Sequence, residues 1–112
     1  MNRMINVKSG KDVLTVKDCR SLLRAARGLM FDSLNHDGAM ILGGNIWMPF
    51  VKKPLWLVFL DGNLSVTSIQ YAIPIALDPK TWKTYSDGKA KYCLELVRRP
   101  SVAEGMRIKI LP

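Results

Sequence analysis

One run of six residues, Leu55-Trp56-Leu57-Val58-Phe59-Leu60, constrains this chain more than any other. In an extended chain Leu55, Leu57 and Phe59 share one face and Trp56, Val58 and Leu60 the other. A strand that is apolar on both faces must be covered on both, which places it at the centre of the fold. The surrounding unit, residues 46–69, continues into Asp61-Gly62-Asn63, a turn sequence that tolerates positive φ and reads as a short hairpin loop. Val66 and Thr67 then favour a second strand, with Ile69, Tyr71 and Ile73 at alternate positions.

The rest of the chain supplies further short strands. Val7 and residues 13–16, separated by Ser9-Gly10-Lys11-Asp12, predict an N-terminal hairpin. Asp18 is a candidate cap for a helix over residues 18–27, with Cys19, Leu22, Leu23 and Ala26 on an apolar face and Arg20, Arg24 and Arg27 on a basic one. Gly28 is placed to end it. Residues 39–42 read as a strand. Pro49 and Pro54 make the piece between them an edge segment or exposed connection. Residues 73–86, with Pro74 and Pro79, are too long for a simple turn and form a candidate functional loop. In residues 89–97, Tyr92, Leu94 and Leu96 alternate with Cys93, Glu95 and Val97, and residues 107–111 end the chain as a strand with Ile108 and Ile110 facing in. The expected fold is mostly β: a compact sandwich or partly open barrel of short strands, with one short helix near residues 18–27.

A chain of 112 residues makes one domain, 1–112, with one core. Its 48% hydrophobic and 23% charged content argue against disorder. Two cysteines far apart, Cys19 and Cys93, do not make a disulfide framework and read as reduced structural thiols. The N-terminal residues lack an apolar signal region, and six apolar residues are too few to span a bilayer, so the expected location is cytoplasmic and no membrane partner is implied. Monomer or weak homodimer is the expected state. The net charge of +8 attracts polyanions, nucleic acid included, whether or not that attraction is used.

Several motifs fall in order along the chain. Arg27-Gly28-Leu29-Met30-Phe31, Trp47-Met48, Pro54-Leu55, Phe59-Leu60-Asp61, Tyr85-Ser86 and Tyr92-Cys93-Leu94-Glu95-Leu96 together resemble the signature of the domain of unknown function family 192, over residues 20–110. The resemblance implies a compact mostly-β fold and no established activity. The chain departs from the family pattern at Trp56, where the family has Asp, and at Met106, where it has Asp after Gly.

Chemical candidates are few. His36 is the sole histidine, in a turn-forming context, and one His with two distant Cys does not make a zinc site. The segment from Asp61 mimics the start of a calcium loop but has Ala72 where the bidentate Glu belongs. Gly43-Gly44 is not followed by the Lys and Ser or Thr of a phosphate loop, and no cofactor is implied. Asp61 and Glu95 have two readings: a turn cap and a carboxylate paired with Arg27 or a lysine, or a general acid–base pair of a hydrolase-type enzyme. Trp47, Met48, Phe50 and Trp56, beside Lys52 and Lys53, are either core or an aromatic binding patch. The sequence favours a non-enzymatic binding module of unknown partner using Arg27, Trp47, Met48, Lys52, Lys53, Asp61, Ser86 and Glu95. The alternative is a nucleic-acid-binding protein using Arg20, Arg24, Arg27, Arg98 and Arg99.

Overall fold

The computed structural model describes residues 4–20, 37–48 and 53–111. They form nine strands: β1 (Met4–Ser9), β2 (Asp12–Cys19), β3 (Gly38–Leu42), β4 (Asn45–Trp47), β5 (Leu55–Leu60), β6 (Val66–Ala72), β7 (Thr84–Ser86), β8 (Tyr92–Leu96) and β9 (Lys109–Leu111). Seven make one sheet in the order β6-β5-β8-β3-β2-β1-β9, and β4 and β7 make a second, two-stranded sheet. All pairs are antiparallel except β2 with β3. The large sheet curls until its ends meet. Val66 N–H donates to Met106 O at 2.8 Å, Gly105 N–H to Val66 O at 2.9 Å, and Ile108 N–H to Leu64 O at 2.9 Å. These bonds tie the start of β6 to the chain before β9 and leave a partly open barrel.

The alternation along β5 sorts its side chains into two cores, as the run of apolar residues requires. Val58 and Leu60 join Val7, Val16, Met40, Leu94, Leu96 and Ile108 inside the barrel. Leu55, Leu57 and Phe59 lie on the outer face with Ala39, Ile41 and Cys93, under Ile46, Met48 and Tyr85 of the small sheet. Full burial of Phe59 alone is worth about 1.5–3 kcal/mol. The middle strand of the large sheet is β3 rather than β5, because β8 inserts between them. Sequence order does not reveal that non-local pairing.

Two bonds pin the small sheet over the outer core. Ile73 N–H donates to Tyr85 Oη at 2.9 Å and Ile75 N–H to Met48 O at 3.1 Å. The expected long loop after Ala72 therefore contains structure: a 3-10 turn at Pro79–Thr81, capped by Asp78, and then β7. The expected helix over 18–27 is corrected at its start, since Asp18 and Cys19 belong to β2, where pairing with Met40 and Ile41 outweighs local helix spacing. Residues 21–27 lie outside the described residues, as do His36 and residues 49–52. The β5–β6 hairpin forms, but the residue that takes positive φ is Leu64 (64°), not the Asp-Gly-Asn triplet. A leucine there costs about 1 kcal/mol, offset by Leu64 N–H donating to Asp61 O at 3.0 Å and by the Ile108 bond.

Cys19 and Cys93 are both buried. They share one row of the sheet, each paired with Ile41 from opposite sides. Two strand spacings, about 10 Å, exceed disulfide reach. Among the described residues, no helix is long and apolar enough to cross a membrane.

Candidate functional site

The end of β8 builds the site. Leu96 is its last residue and pairs with both Gly38 and Trp56. Gly38 has no side chain to spare: a Cβ there would lie 1.8 Å from Glu95 O. This close approach lets Asp37 sit between β2 and β8. Thr15 N–H donates to Asp37 Oδ2 at 2.8 Å, and Val97 N–H to Asp37 O at 3.0 Å. The chain then turns out through Val97-Arg98-Arg99-Pro100. Ser101 fastens this turn to the β1–β2 hairpin, donating to Ser9 O at 2.9 Å and accepting from Lys11 N–H at 3.2 Å.

Between the two lips lies a groove of about 440 Å³. Val13, Leu14, Leu96 and Pro100 give it apolar walls; Lys11, Arg98 and Arg99 face it with positive charge, and Asp12 and Asp37 with negative. The Arg98 side chain is 87% exposed, and its Nη2 is 3.6 Å from Asp37 Oδ1. An exposed pair at that distance holds the arginine weakly. The Arg99 guanidinium carbon sits 5.5 Å from the centre of the Trp56 ring. Trp56 stands directly opposite Tyr71 across the β5–β6 pair, with ring centres 4.8 Å apart at 51°. Tyr71 is 51% exposed. Groove, arginine, indole and phenol thus form one continuous surface.

Most other sequence candidates are placed elsewhere. Arg20 is bidentate to Asp18, at 2.8 Å and 3.1 Å, and this contact raises it above its ordinary pKa. It follows the far end of β2, about 20 Å along the strand from Leu14 in the groove wall. Arg20 therefore does not line the groove that Arg98 and Arg99 share. Arg24, Arg27 and Lys52 lie outside the described residues. Trp47 is in β4, while Met48 is fully buried in the outer core and cannot be a surface contact. Trp56 points to the opposite face of the sheet from that core, so it does not share a patch with Met48. Lys53 is exposed before β5. Ser86 is exposed on β7, and its carbonyl accepts from Gln70 Nε2 at 3.0 Å.

The two carboxylates are separated. Asp61 Oδ1 accepts from Asn63 N–H at 2.9 Å and Ser65 N–H at 3.0 Å, capping the hairpin turn. Glu95 pairs in register with Leu57, four residues and about 13 Å along β5 from Asp61. An acid–base pair needs a shared substrate atom, and this spacing gives none. Glu95 is 3% exposed on the outer face, in one row with Lys17, Ala39 and Leu57. Burial lifts its pKa to about 7, against the opposing pull of the Lys17 charge, and its Oε1 has no hydrogen-bond partner among the described residues. Asp87 shows the reverse. Hydrogen bonds from Ser68 first, then from Lys89 N–H and Thr67, hold it below the ordinary carboxylate range. Among the described residues no cluster of three or more His, Cys, Asp or Glu could hold a metal ion.

Lys11 and Tyr71 are the members of this surface that sequence reading missed. Tyr71 was within reach, since the hairpin register that aligns Val58 with Ile69 also sets Tyr71 against Trp56.

Comparison with known proteins adds a family and a fold. The family model DUF192, described as an uncharacterized ACR, matches residues 4–110. No curated protein matches the chain. The crystal structure of a Sinorhizobium meliloti 1021 protein described as a candidate transcription regulator superposes with a TM-score of 0.72 at 17% identity, covering 98% of this chain and 94% of that one. A protein of unknown function from Novosphingobium aromaticivorans DSM 12444 superposes with a TM-score of 0.66 at 19% identity, covering 96% and 84%. At these identities the likeness is one of fold.

Proposed function

The chain belongs to the DUF192 family, described only as uncharacterized, and from its own geometry we propose that it is a non-enzymatic binding module for an anionic partner. The observation that carries this reading is the convergence of Lys11, Arg98 and Arg99 on one groove with apolar walls. The chain's net charge of +8 adds attraction at longer range. Arg98 is turned outward and its ion pair with Asp37 is exposed and 3.6 Å long, so an incoming anion competes for it at low cost. The carboxylates that an acid–base enzyme would need are committed to a turn and to the core.

Charge reversal tests the reading. Fluorescent single-stranded RNA and duplex DNA are titrated at low and near-physiological salt with the wild type and with Lys11→Glu and Arg98→Glu. Each reversal is expected to weaken binding and to lower the slope of log affinity against log salt by about one. Unchanged affinity and slope in both variants, with fold intact, would remove the groove as the anion site.

A further inference from the structure

The surface beside the groove narrows the class of anion. We infer that the protein binds single-stranded nucleic acid, with backbone phosphate in the groove at Lys11 and Arg98 and an unpaired base stacked on Tyr71. The inference rests on the groove reading above and extends it to Arg99, Trp56 and Tyr71.

Three observations carry it. First, Tyr71 is a half-exposed aromatic ring on β6, linked to the groove through Trp56 and Arg99, and 51% exposure leaves much of it to water. Second, that ring is held in place. Trp56 lies against one side of it at 4.8 Å, and Arg99 lies over Trp56 at 5.5 Å, so little freedom remains to be lost on binding. Third, the platform is continuous with the groove, because Arg99 both lines the groove and covers Trp56. From β8 to β6 is two strand spacings, about 10 Å. A phosphate at Arg98 and the base of a neighbouring nucleotide at Tyr71 fit within that span. Cationic grooves with aromatic platforms bind single strands by stacking, which every base allows. In a duplex the base faces are already stacked on one another, so a duplex can use the groove but not Tyr71. The acidic residues at the groove, Asp12 and Asp37, limit the local positive charge, which makes the stacking contact the larger discriminator between polyanions.

The test compares three fluorescent probes of equal length at near-physiological salt: oligouridylate, an abasic sugar–phosphate strand and a DNA duplex. The proteins are the wild type, Tyr71→Ala, Tyr71→Phe and Arg98→Glu, each checked for fold by circular dichroism. The wild type is expected to prefer oligouridylate to the abasic strand by about 5- to 150-fold. Tyr71→Ala is expected to lose that preference while keeping abasic-strand affinity, and Tyr71→Phe to retain it. Equal binding of base-bearing and abasic strands by the wild type, or a preference that survives Tyr71→Ala, would overturn the stacking inference. So would duplex binding as tight as oligouridylate binding. If all three probes still lose affinity in Arg98→Glu, the groove reading stands without the stacking. If Arg98→Glu changes nothing, phosphate does not bind at Arg98 and the inference fails, while the groove reading falls only if Lys11→Glu is also without effect.

Discussion

Replacing Glu95 by Gln is expected to abolish a large part of the protein's pH-dependent stability. Glu95 is 3% exposed near the end of β8, with Leu57 and Ala39 as its cross-strand neighbours and no partner for Oε1 among the described residues. Its carboxyl titrates near 7 in the folded chain against an ordinary value of 4.5. Keeping it ionised in the fold therefore costs about 3 kcal/mol. Between these two values the folded chain holds the proton and the unfolded chain releases it, so stability falls as pH rises. The contribution of Glu95 is complete below about pH 4.5 and lost above about pH 7. Some 2.5 kcal/mol of the loss, about 10 °C in Tm, falls between pH 5 and 8. Asp87 has the opposite sign, but its contribution is lost only as pH falls below 3.8, outside that window. The assay is urea unfolding of the wild type and Glu95→Gln at pH 5, 6, 7 and 8. The wild-type midpoint should drop by about 1–2 M relative to the variant across this range, at constant slope. Groups common to both proteins cancel in the difference. A flat difference curve, or one in which the wild type gains stability relative to the variant with rising pH, would refute the account of Glu95 as a carboxyl destabilised by burial.

Gly38→Ala should destabilise the fold by about 3 kcal/mol, the upper end of overpacking costs, because its Cβ would meet the backbone oxygen of Glu95 at 1.8 Å and neither strand can move without breaking the other's pairing; urea unfolding measures it, and a loss under 1 kcal/mol would show that β3 can shift. Tyr85→Phe removes the hydroxyl that accepts from Ile73 N–H and should cost about 1–2 kcal/mol, with faster amide exchange at Ile73 as its local signature; unchanged exchange there would mean that the bond does not fasten the start of the loop.

How much of this was legible beforehand depended on how local each interaction is. The β1–β2 and β5–β6 hairpins, the alternation of β8 and the two-sided burial of β5 follow from side-chain period and turn chemistry over a few residues. The same locality misread Asp18 and Cys19 as the start of a helix. Asp18 followed by apolar residues at helical spacing reads as a cap, yet Asp18 and Cys19 complete the only parallel pair among the described strands. Of the two readings of the aromatic group, core packing holds for Met48, and the patch reading could not join it to Trp56. Met48 and Trp56 are near in sequence and both apolar, but the chain enters β5 so that they serve opposite faces of the large sheet. Arg98 and Arg99 were identified without the groove they line, since its other lip, Lys11 to Leu14, is more than 80 residues earlier.

From the residues alone it follows that the chain is mostly β, that its central run must be covered on both faces, that it is strongly basic and that it carries the motifs of its family. Each of these is a property of composition or of a short window, where periodicity and charge need no partner. The pairing of strands in three dimensions sets β8 between β3 and β5, puts Arg20 about 20 Å along β2 from the groove wall, and brings Lys11, Arg99, Trp56 and Tyr71 onto one surface. Strand pairing is non-local: which strands become neighbours depends on how two cores close around one sheet, and that choice brings together residues the sequence keeps apart.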